Sequence, residues 1–390
     1  MNGIYYYLVV FFIIWILSLS LKNKLTNHGF EIEFPVIMWK TKKLRGLISK
    51  ISNISPKFWK WYMNIGIIIS FIAMLVITWL LISAIPTAFE TPSISLIIPG
   101  VEIPGSTIFI PFVSGIIALA TCLIVHEFSH GVISISEKIS IKSIGLLLFA
   151  IIPGAFVEPD EDELKKSSKL SQLRVYAAGS IANITLALVA ILILSMASGA
   201  IPHYFDENGI EISRVLEDSP ASGVLKEGMV IKSLDNKSIV DSKSYVDAIN
   251  QLKPNDTLSI VTNQGEFNLT LDKNPNNESL GYIGIQSNYN YKLVDNSLGP
   301  LPWILFSIVD LFNWIFILNL GIGLFNLLPI KPLDGGKMLE ILLSYKLDKK
   351  QYKPIVNSLS MVLAMVIIFS LIAGLDRKST RLNSSHSTES

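Results

Sequence analysis

The sequence predicts a polytopic α-helical membrane protein, about six transmembrane helices with a re-entrant β-hairpin, into which one α+β domain is inserted. Three observations carry this. Half of the 390 residues are hydrophobic and only 16% are charged, with a mean hydropathy of +0.50, beyond the apolar share of an ordinary soluble chain. Nearly uncharged runs recur toward both ends, each about long enough to cross ~30 Å of hydrocarbon. Between them the composition turns to that of a soluble domain. The formal net charge of +1, with no dominant basic stripe, excludes nucleic acid as the main partner. The single cysteine, Cys122, excludes an internal disulfide framework and is read as a packing residue.

Tyr5 to Leu21 is the first span; the basic start and small-residue cleavage site of a signal peptide are missing from it. Lys22 to Lys60 carries nine Lys and Arg against Glu31 and Glu33, and Trp59, Trp61 and Tyr62 close it. The positive-inside rule makes this loop cytoplasmic, with the aromatic residues at the interface. Met63 to Ile85 is the second span, and Pro86 to Ile108, without Lys or Arg, is an external loop. The third span, about Phe109 to Ser136, runs back inward. Ile141 to Val157 is apolar but interrupted by Gly145, Pro153 and Gly154, which suits a re-entrant hairpin buried in protein or lining a polar cavity.

Glu158 to Lys169 is the cytoplasmic return and Gln172 to Ile201 the fourth span. It contains Gly179-Ser180-Ile181-Ala182-Asn183, where small residues let helices approach and Asn183 can bond across. From His203, a border surface residue, to about Ser287, short β-type runs (Ile210 to Ile212, Leu258 to Val261) alternate with turn residues, and Tyr245 to Ile249 supplies a helical turn or two. Pro302 to Leu328 is the fifth span. Lys346, Lys349, Lys350 and Lys353 mark a cytoplasmic loop, and Ile355 to Leu375 returns outward as the sixth. Both termini and the insert then lie outside the cytoplasm. The chain divides into 1–62, a span and basic loop; 63–202, the first half of a membrane core; 203–290, the insert; and 298–375, the second half. Asp376 to His386 reads codon by codon as a translated sequencing-adapter string, so the tail 376–390 is taken as read-through and His386 is set aside as a ligand.

Inside the third span stands His126-Glu127-Phe128-Ser129-His130. Residues four apart share a helix face, so His126 and His130 can hold one Zn²⁺ while Glu127 stands beside the open position as a general base. His and Glu at bilayer depth are expensive and usually functional. At 1.5 Å per residue, His126 lies roughly 25 Å below the outer entrance, within the membrane but nearer the cytoplasm. A catalytic zinc needs a third protein ligand. The candidate is Asp334, in Leu333-Asp334-Gly335-Gly336 after the span broken by Pro329 and Pro332; alone it serves equally well as a helix N-cap, and the incomplete metal site favours the ligand.

These residues resemble the site-2 protease family of intramembrane zinc metalloproteases, peptidase family M50. The likeness rests on His126 to His130, Asn326 with Pro329, Leu333-Asp334-Gly335, the Gly179 to Asn183 run, and an insert whose Asp218-Ser219-Pro220-Ala221, Glu227-Gly228-Met229-Val230-Ile231 and Lys237-Ser238-Ile239 resemble a PDZ domain. The fold expected is thus membrane helices plus a PDZ-like extracytoplasmic domain, of the kind that suits an archaeal member. The resemblance implies one Zn²⁺ per chain on His126, His130 and Asp334, with Glu127 as base, and cleavage of transmembrane protein substrates inside the lipid bilayer. Substrate contacts are expected from Asn326 and from the hairpin around Gly154 and Phe156, with Gly179 and Asn183 in support. Gly281-Tyr282-Ile283-Gly284 is the candidate loop for peptide C-termini. A catalytically silent PDZ-bearing scaffold and a transporter are the alternatives. The first needs a defective site and the second an inverted repeat, which is not visible.

Overall fold

The computed structural model describes residues 4–41, 44–87, 98–101, 108–149, 152–216, 218–274 and 277–386. Most of the loop read as external (88–97 and 102–107) and the tail from 387 lie outside the described residues, as do the side chains beyond Ile372. The chain forms two compact units, residues 1–195 with 308–390, and 196–307.

In chain order the first unit begins with α1 (Ile4–Ser20), α2 (Lys22–Thr26), β1 (Phe30–Glu33), β2 (Val36–Thr41), α3 (Arg45–Ile54) and α4 (Pro56–Ser83). There follow α5 (Phe112–Ser136), β3 (Ile141–Phe149), β4 (Ile152–Pro159), α6 (Glu161–Lys166) and α7 (Lys169–Tyr204). After the insert come α9 (Ile304–Asn326), α10 (Asp334–Ser344) and α11 (Lys349–His386). Among the described residues five helices are long and apolar enough to cross a membrane: α4, α5, α7, α9 with the turn before it, and α11. The sequence suggested six. The sixth, α1, has 17 residues among those described, about 25 Å at 1.5 Å per residue, the lower limit for a spanning helix.

Helix α5 is the axis of this unit. Met63, Ile67 and Met74 of α4 pack with Ile133 of α5, Leu173 to Ile181 of α7, and Met338 and Ile341 of α10. Ala118 of α5 meets Ala190 of α7 and Trp314, Ile315 and Leu318 of α9. One end of the bundle is tied by the buried Glu137, which accepts from Arg174 at 2.8 Å and from Ser171 at 2.7 Å and pairs with Lys60 at 3.4 Å. Arg174 in turn donates to Asn64. A buried carboxylate persists only with such company.

The apolar segment interrupted by glycines does form an antiparallel hairpin, with Leu146 opposite Ala155 and Leu147 opposite Gly154. The stretch read as a plain basic loop is more than that. Its β1 and β2 join the hairpin in a four-stranded sheet, β1-β2-β3-β4, Met38 facing Leu147 across the β2–β3 seam. Strand β4 lies on the sheet's edge and packs through Val157 against Ile48 of α3 and Val132 of α5.

The second unit carries β5 (Phe205–Val215), β6 (Val230–Leu234), β7 (Lys237–Ser238), α8 (Ser242–Ile249), β8 (Thr257–Thr262), β9 (Gly265–Thr270), β10 (Asp272–Asn274), β11 (Asn277–Tyr282) and β12 (Ile285–Leu293). Its main sheet runs β12-β5-β6-β8-β9, with β7 beside β6, and β10 pairs with β11. Ile210, Ile212, Ile231, Leu258 and Ile260 alternate inward to form the core under α8. Asp241 caps α8 in a reciprocal pair with Ser244.

Candidate metal centre

One turn of α5 separates His126 from His130, so both rings leave the same face, with centroids 4.8 Å apart. Their Nε2 atoms are 3.2 Å apart. Into the gap comes Asp334, the first residue of α10, whose Oδ2 lies 3.3 Å from His126 Nε2 and 3.2 Å from His130 Nε2. Asp334 does not cap the helix: Leu333 holds the N-cap position with no side-chain bond. The close approach of α10 is licensed by its glycines. A Cβ at Gly335 would stand 2.2 Å from the Leu327 carbonyl oxygen, and one at Gly336 2.6 Å from that of Ile330.

Three observations fit this triangle to a metal. A tetrahedral zinc with bonds of roughly 2.0–2.1 Å has ligand-to-ligand edges of about 3.3 Å, the spacing seen here. Asp334 Oδ2 is buried with no hydrogen-bond partner, a costly state for a carboxylate unless a cation completes it. A Cβ on Gly179 of α7 would lie 2.5 Å from His126 Nε2 and 2.6 Å from His130 Nε2, so only glycine leaves the space beside the donors open. Among the described residues, His126, His130 and Asp334 are the group of His, Cys, Asp or Glu able to share one ion.

The outer contacts set the ring tautomers. His130 Nδ1 donates to the Val175 carbonyl at 2.7 Å, which leaves Nε2 as the metal donor. The Asn183 amide lies 3.3 Å from His126 Nδ1. For His126 to offer Nε2 to a metal it must carry its proton on Nδ1, so the amide oxygen is the atom that faces it. Turned that way, the Asn183 oxygen, otherwise buried without a partner, becomes satisfied. Cys122, one turn before His126, is buried with its Sγ 3.3 Å from the same amide.

A cavity of about 440 Å³ opens on the triad, lined also by Glu127, Glu158, Tyr176, Asn326 and Lys337. Glu127 accepts a hydrogen bond from the Val157 backbone N–H on β4, Oε2 to N 2.9 Å. Asn326 ends α9 on the cavity wall, donating to Ile322 O at 3.1 Å. Phe156 stacks its ring where a Cβ on Gly145 would be, and Gly154 faces Leu147, both on the hairpin beyond the cavity lining. Sequence reasoning missed Lys337, whose Nζ is 3.9 Å from Asp334 Oδ1 and 5.1 Å above the Tyr176 ring centroid. Its i+3 spacing from Asp334 was the available signal. The Val175 carbonyl and the Val157 N–H are backbone groups, which leave no mark in side-chain pattern.

The model of peptidase family M50 matches residues 114–367, a stretch holding both histidines, Glu127 and Asp334. The chain belongs to peptidase family M50. It is thereby a membrane peptidase of the site-2 protease type, from a family of zinc metallopeptidases. Among relatives, the uncharacterized protein MJ0971 of Methanocaldococcus jannaschii is 29% identical over 333 residues, covering 84% of this chain and 82% of the relative. The membrane-bound transcription factor site-2 protease homolog of Arabidopsis thaliana is 30% identical over 138 residues, 35% of this chain and 26% of that protein. Among solved structures, the PDZ domain of an SdrC-like protein from Listeria innocua is 27% identical, covers 21% of this M50 chain and 97% of that domain, and has a TM-score of 0.20. Its counterpart from Listeria monocytogenes is 26% identical, with coverages of 23% and 90% and a TM-score of 0.18.

Proposed function

We propose that the chain is an intramembrane zinc metalloendopeptidase that cuts peptide bonds within the transmembrane helices of substrate proteins, as a step of regulated intramembrane proteolysis. The observation that carries this is the meeting of His126, His130 and Asp334 in one cavity with Glu127 beside them, on helices of membrane-spanning length. His126, His130 and Asp334 would hold one Zn²⁺, which when bound supplies an activated water and a polarised carbonyl. Glu127 takes the water's proton and returns it to the leaving amine. Asn326 offers its carboxamide to the scissile backbone from the cavity wall. A substrate helix has its amides paired internally and must unwind first. The free edge of β4, from Gly154 through Phe156 to Val157, then takes up the extended segment by strand addition.

The same proposal gives α1 as a sixth span, β3–β4 as a re-entrant hairpin, and the basic loop and active site toward the cytoplasm, all in the cell membrane. The domain read as 203–290 lies outside and takes peptide C-termini. Supporting this is a cavity of about 240 Å³ between Tyr245 and Ile249 of α8 and the run Gly281 to Ile285.

The test is zinc content and cleavage of a single-span protein with a helix-breaking residue at mid-membrane, by wild type and by Glu127→Gln. One zinc per chain in both and cleavage only by wild type is the expected result. Equal cleavage would remove Glu127 from the mechanism.

A further inference from the structure

The group proposed to accept the proton and the edge proposed to accept the substrate are bonded to each other. Glu127 Oε2 takes the Val157 N–H at 2.9 Å. In an antiparallel ladder successive N–H groups point alternately toward the partner strand and away from it. Val157, opposite Ile144 of β3, spends its N–H on Glu127, so that N–H points off the free edge of β4. Ala155, two residues earlier, presents its N–H on the same side, while Phe156 turns its N–H toward β3. An extended segment joining β4 therefore needs the donor that Glu127 occupies.

We infer that Val157 N–H is a positioning group that holds the Glu127 carboxylate while the edge is empty and releases it when a substrate carbonyl takes its place. This rests on the proposed strand pairing at β4 and adds to it a coupling between binding and base. A segment that pairs in register frees the carboxylate beside the metal ligands. A segment that remains helical, with its carbonyls already bonded internally, offers nothing to Val157 and leaves Glu127 held. Selectivity for unwound substrate then comes from the base itself as well as from the fit of the edge.

Residue-resolved hydrogen exchange on the full chain in nanodiscs tests this. The probe is a synthetic single-span peptide with Asn-Pro at mid-membrane, added to the uncleaving variants Glu127→Ala and Glu127→Gln. Without peptide, Val157 should exchange slowly in wild type and in Glu127→Gln, which keeps an acceptor, and at least tenfold faster in Glu127→Ala, with Phe156 unchanged in all three. Saturating peptide should restore slow exchange at Val157 in Glu127→Ala. Equal exchange of Val157 in wild type and Glu127→Ala would overturn the holding contact. Peptide that slows Ala155 but not Val157 would overturn the exchange of partners while leaving strand pairing intact, and peptide that slows neither would overturn both.

Discussion

In residues 196–307 the fully buried side chains are large and branched, Ile210, Ile212, Ile231, Leu258 and Ile260 among them. In the membrane unit many large apolar groups point outward, such as Leu75, Trp79, Leu192 and Met361, each at least 64% exposed. Beside buried aliphatics such as Met63 and Leu327, its interior holds many small or polar residues: Ala118, Ala177, Ala178, Ala190, Ser180, Asn183 and Asn319 are at most 1% exposed. The two units are built for different solvents. Water drives aliphatic side chains into the insert's core, whereas lipid leaves them outside and helices adhere through close backbone approach and side-chain hydrogen bonds. The candidate metal site uses the second arrangement, since the Gly179 gap that lets α7 close on α5 also keeps the donors' space open.

The comparison can be broken at four points. The largest effect is expected from Gly179→Ala, whose methyl would fill the space beside both Nε2 atoms: zinc affinity should fall more than 100-fold by competitive chelation, about 2.7 kcal/mol or more. Gly199→Ala on the same helix, where a Cβ meets nothing within 4 Å, should change nothing. Next, Leu258→Ala should cost about 2–5 kcal/mol of the insert's stability in denaturant titration, with zinc content unchanged. Asn183→Ala removes the acceptor for His126 Nδ1–H and should weaken zinc binding by roughly 10- to 100-fold without unfolding the bundle.

The smallest effect concerns acid. The Ser244 hydroxyl and backbone N–H hold the Asp241 carboxyl below its usual range. A depressed pKa means that the cap's contribution is complete above the unfolded value of about 3.9 and is lost as pH falls through the folded one. Asp241→Asn should therefore slightly flatten the loss of insert stability below about pH 4, read by circular dichroism.

Much of this was legible beforehand because membrane spans and an H-E-x-x-H turn are local patterns. The first ring pair needed only 3.6 residues per turn, and Asp334 needed only the demand of two histidines for a third donor. The sheet was less legible. Phe30 to Glu33 and Val36 to Thr41 are short runs in a basic stretch, and the strand that completes them, β3, lies more than 100 residues away in sequence. Nor could composition show that Gly179 faces the rings, that a Val175 carbonyl orients His130, or that a Val157 amide holds Glu127. Each of these depends on a backbone position that only the packing of α7 and β4 against α5 defines.

The most direct measurement is X-ray absorption at the zinc edge on purified wild type and Asp334→Ala, alongside metal content. Wild type should hold one zinc per chain with two imidazole nitrogens and a carboxylate oxygen at roughly 2.0–2.2 Å, and Asp334→Ala should lose the metal or the oxygen. Unchanged zinc and an unchanged spectrum in Asp334→Ala would contradict the meeting of α5 and α10 at one ion.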